Sequence, residues 1–258
     1  MRLRSLNTLP FLIFCCAAII FAGFATSSAA TPSVDSNSTF SALNKLNITD
    51  EQATKLLGVA IRIDKTDSGL VPPQTTQEPI DSQLFRECVG KPTPIWASWG
   101  VATVANSPRY LVTDLGKVGF NVELESRGFP TDGDAVAEAA RLIPSRSCFV
   151  NPNVTVFENS LKSLNEGTAN VVGSAIIPKN LSLPKGAYAA EIDLQGKPSE
   201  GVPVAERVLY IYAGKGKSFC RYRLIFIGGQ DKLSESAYRK LASGLVQIVA
   251  INLANVEN

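Results

Sequence analysis

The chain predicts an α+β fold, a single twisted antiparallel sheet with helices packed on one face and a long C-terminal helix. Three observations carry this. Segments 168–177, 187–194, 205–213 and 219–227 have strand character, and turn residues, the tight GKGKS among them, separate them. After Ser234 the apolar residues change to helical spacing, at Ala237, Leu241, Leu245, Ile248, Val249 and Val256. Upstream, Val118, Phe120, Val122 and Leu124 alternate with polar residues or glycine, and a helix over 135–143 follows. Strand runs bracketed by helices, without strict strand–helix alternation, indicate α+β.

The first thirty residues read as a secretory leader. Arg2 and Arg4 precede an apolar run from Leu9 to Ala25 and the small residues ATSSAA. Cleavage after Ala30 is the first choice and after Ala29 the second. Left uncleaved, the same run would be an N-terminal membrane anchor, though its 17 residues are at the short end for spanning. Cys15 and Cys16 invite lipid attachment, but Phe14 stands where a small residue is wanted.

Loss of residues 1–30 leaves 228 of 258 residues, enough for one good core, and reduces the 25 basic side chains to 23 against 23 acidic ones. A neutral chain without a basic run argues against nucleic acid or an anionic membrane as partner. The chain has no histidine, which excludes Ser-His-Asp and Cys-His catalysis and the usual imidazole metal sites. Cys88, Cys148 and Cys220 remain, an odd number, so an exported chain would form one disulfide and keep one thiol.

Residues 31–45, rich in Ser, Thr and Asn, read as a flexible tether, and 46–258 as one domain. Thr49 with Gln52 makes a capping box for a short helix ended by Gly58. Residues 64–79, with Gly69, Pro72, Pro73 and Pro79, read as a long loop, and SQLFRECVG as a helix carrying Cys88. A strand is expected from Thr93 to Ala105, with a turn at Asn106-Ser107-Pro108. Gly128 and Pro130 break the central strand, Thr131 or Asp132 caps the next helix, and Pro144 ends it before Cys148. A strand at 149–157 and a polar helix or turn up to Gly167 lead into the strand run.

Alternation along the last strands sets Cys220, Tyr222, Leu224 and Phe226 on the helix-covered side with Leu209 and Ile211. Val208, Tyr210, Tyr212, Arg221 and Arg223 then face the other way, joined by Glu123, Glu125, Glu191 and Asp193. An antiparallel sheet ordinarily wets one face and pairs its charges across strands. The functional alternative is a ligand groove contacted by Tyr210, Tyr212, Arg221 and Arg223. The acids at i and i+2 lie roughly 7 Å apart, a separation glycoside hydrolases use, although any strand of alternating acids produces it. Asn37, Asn47, Asn153 and Asn180 begin glycosylation sequons. No nucleophile elbow, P-loop, dinucleotide fingerprint or CxxC occurs, so no cofactor and no metal are expected.

The order of these motifs resembles the PknH-like extracellular sensor domains of mycobacteria and their secreted or lipid-anchored relatives. The shared features are LLGV closing a short helix, REC before WASWGV, the VGFNV strand with DAVAEAA, and a closing Cys148. The likeness runs from about Leu46 to Val256. It implies a twisted antiparallel sheet with flanking helices, a cleft for an unidentified ligand, and two disulfides, of which Cys88–Cys148 matches the first. The second pair is not matched, because no cysteine lies between 149 and 219. The expectation is therefore an exported, non-enzymatic ligand-binding or sensor module of an actinobacterial-type cell envelope. Its partner would be an unknown small molecule or envelope component. The alternatives are a histidine-independent carboxylate hydrolase and a purely structural envelope protein.

Overall fold

A computed structural model describes residues 36–58, 61–71, 104–113, 121–130, 134–142, 148, 150, 153–155, 157–159, 169–176, 181–198, 204–228 and 235–256. The expected leader, the helix expected at 82–90 with Cys88, and most of the strand expected at 93–105 lie outside them.

The described strands form one antiparallel sheet. They are β1 (Arg62–Asp64), β2 (Gly69–Val71), β3 (Val104–Asn106), β4 (Arg109–Thr113), β5 (Asn121–Pro130), β6 (Ala169–Ile176), β7 (Ala187–Pro198), β8 (Val204–Lys215) and β9 (Ser218–Gly228). Seven run in the order β1-β4-β5-β9-β8-β7-β6, while β3 pairs with β5 beyond β4 and carries β2. Between β3 and β4, Ser107 donates its N–H to the Ser126 carbonyl (2.9 Å), and its hydroxyl accepts from Ser126 N–H (2.8 Å). That exchange carries the pairing past Pro108, which has no N–H to give. Gly216, at φ +57°, makes the tight β8–β9 turn that GKGKS predicted.

One face is covered by α1 (Ser36–Leu46), α2 (Asp50–Leu57) and α4 (Glu235–Asn255). The α2 start is the expected capping box of Thr49 and Gln52, and Gly58 closes the helix in a left-handed conformation. Along α4, Tyr238, Ala242, Leu245, Val249 and Leu253 recur at helical spacing and are buried against Leu209, Ile211, Tyr222, Leu224 and Phe226. Each fully buried side chain of this size contributes about 1.5–3 kcal/mol. Asn252 ties α4 to the α1–α2 joint, its amide donating to the carbonyls of Leu46 (3.0 Å) and Asn47 (3.2 Å).

Several expected elements differ. Of the residues read as tether, 36–45 belong to α1 (Ser36–Leu46), whose Leu43 and Leu46 are fully buried. Apolar spacing of only two or three residues gave no visible period, and the sheet supplies the burial. Residues 64–79 contain the end of β1 and all of β2, which pair across the sheet rather than looping freely. Gly128 does not break β5. The strand continues to Pro130, and the missing Cβ lets α1 approach, since a Cβ there would lie 3.1 Å from the Leu43 carbonyl oxygen. Where 149–157 is described it is helical, at 150, 153–155 and 157, not extended.

The opposite face is not left to solvent. Helix α3 (Ala135–Leu142), begun by Asp134 accepting from Val136 N–H (2.9 Å), sits against β7, β8 and β9 on that side. Ala135 and Phe157 join Ile192, Leu194, Val208, Tyr210, Tyr212, Phe219 and Ile225 in a second core. The expected helix layer on one face is present, and a second one faces it. Among the described residues no helix is long and apolar enough to cross a membrane.

Candidate functional site

Strand register assembles a charged cluster on the α3 side of the sheet. Glu125 on β5 lies directly across from Arg223 on β9, and Arg223 from Tyr210 on β8. One row further, Arg127 lies across from Arg221, and Arg221 from Tyr212. Directly opposed residues share a face with Cβ atoms about 4.5–5.5 Å apart, so the two rows bring three guanidiniums around one carboxylate. Glu123 and Glu206 flank the cluster, in the rows of Ile225 and Ile227.

Arg223 Nη1 donates to Glu125 Oε1 at 3.0 Å, and Arg221 Nη2 stands 3.7 Å from the same oxygen. Arg127 Nη2 is 4.0 Å from the other oxygen. Burial alone would raise the Glu125 carboxyl, but Arg223, Arg127, Arg221 and Arg109 outweigh it and hold it at about 2. Glu206 has no such support. Burial and the nearby Glu123 carry it up to about 7 against the pull of Arg223. Glu123 is also raised, chiefly by burial, with Arg223 opposing and Glu125 adding. Burial works against the charge on Arg223, yet Glu125, Tyr210, Glu123 and Glu206 hold it protonated. The Nε atoms of both Arg221 and Arg223 are shut off from solvent and, among the described residues, meet no acceptor. A buried donor left so costs about 1–3 kcal/mol, and more when charged.

The expected site residues divide here. Arg221 and Arg223 occupy the expected face with side chains 23% and 24% exposed. Tyr210 and Tyr212 share that face but are only 7% and 6% exposed, because α3 and the helical residues 153–155 and 157–159 cover them. Their rings stack at 6.2 Å, and the Tyr210 hydroxyl donates to Asn153 Oδ1 at 2.8 Å. They are core, and contact with solvent falls to the arginines. Glu123 and Glu125 lie on the expected face as well.

Glu191 and Asp193 do not. The β7–β8 register sets them beside Leu209 and Arg207, on the α4 side. Glu191 is 1% exposed and is tolerated there because Arg207 reaches it at 3.7 Å. The same guanidinium donates to Asp193 (2.5 and 3.1 Å) and Glu235 (2.9 Å) and lies 4.6 Å over the Tyr238 ring. Arg207 and Glu206 went unremarked in the sequence. Their signal was parity, since Arg207 shares the β8 face of Leu209 and Ile211.

Cys148 is buried and disulfide-bonded, while Cys88 lies outside the described residues. Cys220 is a free, buried thiol on the α4 side, pushed up to about 12 by burial. Of the sequons, Asn47 is buried with its amide bonded to the Ala105 carbonyl and Ser126, and Asn153 holds Tyr210. Asn180 lies outside the described residues. Among the described residues no three His, Cys, Asp or Glu side chains gather as a metal site.

No family model matches the chain, and no curated protein matches it. Among solved structures it is similar to the crystal structure of the extracellular domain of PknH from Mycobacterium tuberculosis, at 13% sequence identity and a TM-score of 0.33. That similarity covers 84% of this chain and 95% of the other.

Proposed function

We propose that this chain is an exported, non-enzymatic ligand-binding or sensor module of the cell envelope, recognising its ligand through the half-buried Arg221/Arg223 cluster. The observation that carries the reading is the cluster's incomplete pairing. Most buried polar atoms in a structural network find a partner, whereas here Arg221 and Arg223 both turn to one oxygen of Glu125 and, among the described residues, neither Nε meets an acceptor. Export is supported by the leader pattern of residues 1–30, and the sensor role by the motif order that resembles PknH-like domains. The test is native mass spectrometry of protein purified from its own host. A co-purifying molecule, lost on Arg221→Gln, is the expected result. A bare protein of mature mass under conditions that retain other ligands refutes it.

A second reading draws on Glu206. A carboxyl raised to about 7 is what a general acid needs, and it supports a histidine-independent hydrolase. Such a mechanism also needs an ionised partner carboxylate with free lone pairs. Glu123 is itself raised, and Glu125 is engaged by arginines, so binding is the better-supported function. Turnover of any glycoside or ester that Glu206→Gln abolishes would reverse that preference.

A further inference from the structure

We propose that the ligand's recognised group is an oxyanion, a carboxylate or a phosphate, seated against Arg221 and Arg223 on the α3 side of the sheet. This rests on the binding function proposed above and names the chemistry of that same site. Three geometric facts converge on it. Arg221 and Arg127 lie directly opposite each other on neighbouring strands, and like charges so placed repel. Arg221's contact at 3.7 Å is with an oxygen that already accepts from Arg223 at 3.0 Å, so it has no carboxylate of its own among the described residues. Among the described residues both Nε donors are orphaned, while each side chain keeps about a quarter of its surface exposed. A planar guanidinium offers its donors as a fork matched to carboxylate or phosphate oxygens. An anion arriving at the exposed edges would turn the two forks toward itself and relieve the unpaired donors.

The neighbours decide when the site is most positive. Facing it are Glu123, Glu125 and Arg127 from β5, Glu206 and Tyr210 from β8, Arg221 and Arg223 from β9, and Arg109 from β4. Arg109 is committed to Asp64 at 3.2 Å and reaches Asp67 at 3.6 Å. Glu125 is ionised throughout the physiological range, whereas Glu206, raised to about 7, changes its charge within it. With its carboxyl near 7, the protonated fraction falls from about nine-tenths at pH 6 to about one-tenth at pH 8. If the anion binds only when Glu206 is neutral, apparent affinity falls about tenfold over that interval.

The experiment uses the chain expressed with its own leader, purified after processing and labelled with nitrogen-15. Arginine Nε–Hε resonances are followed while sodium acetate or sodium phosphate is added at constant ionic strength, with sodium chloride as control. Saturable shifts of Arg221 and Arg223 with acetate or phosphate, but not chloride, are expected. Whichever of the two anions saturates names carboxylate or phosphate as the recognised group. With acetate, which does not titrate between pH 6 and 8, binding should weaken about tenfold, and Glu206→Gln should remove that dependence. Arg221→Gln, checked for folding by circular dichroism, should abolish the shifts. Shifts absent with both anions, or tracking ionic strength alone and surviving Arg221→Gln, overturn the inference. A co-purifying ligand without an anionic group overturns it too, yet leaves the binding function standing. No ligand and no anion response remove both.

Discussion

Replacing Gly214 with alanine puts a methyl group where β8 meets the start of α3. A Cβ at this position would lie 2.5 Å from the Ala135 carbonyl oxygen, 2.6 Å from its carbonyl carbon and 2.8 Å from its Cβ. Carbon atoms in contact sit about 3.5–4.0 Å apart, so the strand and the helix must separate by roughly 1 Å. Two of the three obstacles are backbone atoms, which no rotamer change can move, so the overpacking cost belongs high in the usual range of about 1–3 kcal/mol. Alanine recovers about 0.5–1 kcal/mol over glycine in a strand. The net loss is about 2 kcal/mol, equivalent to a fall of about 4–8 °C in Tm for a chain of this size. Urea denaturation reads the stability. Hydrogen exchange at Ala135, whose N–H is bonded to the Gly216 carbonyl at 3.1 Å, reads the local contact. A variant within about 0.5 kcal/mol of the parent, with Ala135 still protected, would mean that α3 does not seat there. Tyr210 and Tyr212 would then stand on an open face, and the site would have to be redrawn around them.

Glu206 gives a pH signature in stability. Its folded value of about 7 lies above the usual 4.5, so its favourable contribution is complete below about 4.5 and is lost as pH rises through 7. Glu206→Gln should therefore match the parent at pH 4 and exceed it at pH 8 in urea midpoint, and equal midpoints at pH 8 would refute the assignment. Arg207→Met strands Glu191 in the core and should cost about 3–5 kcal/mol, read by the same denaturation, whereas a loss below about 1 kcal/mol would show that Glu191 is not held by this pair. Cys220 should stay unmodified by thiol reagent until denaturant is added; rapid labelling of the native protein would show that β9 presents it outward. Peptide mapping of oxidised protein should join Cys148 to Cys88, sixty residues earlier (148 less 88), closing a loop worth on the order of 4 kcal/mol, and a free Cys88 thiol would exclude it.

Much of the fold is written in local pattern. The α4 periodicity, the Thr49/Gln52 cap, the Gly216 turn and the period-2 runs of β5, β8 and β9 are each set by residues within a few positions of one another, where propensity and spacing act directly. The α1 helix and the full length of β5 escaped that reading because a distant surface stabilises them. Leu43 and Leu46 lie against the sheet, and Gly128 is spanned by β9 on one side and β3 on the other.

For the site, alternation alone placed Arg221, Arg223, Glu123 and Glu125 on one face, because strand parity is a property of the chain itself. It could not say whether that face was wet. A second helix layer comes from residues far along the chain, and its arrival turned Tyr210 and Tyr212 into core while leaving the arginines at the edge. Nor could parity assign Glu191, whose face follows from the β7–β8 register and whose burial depends on Arg207 across the strand. The sequence by itself determined which residues share a strand face. Tertiary structure decided which face is buried and which charges meet, because burial and pairing depend on register and packing between segments that no local pattern encodes.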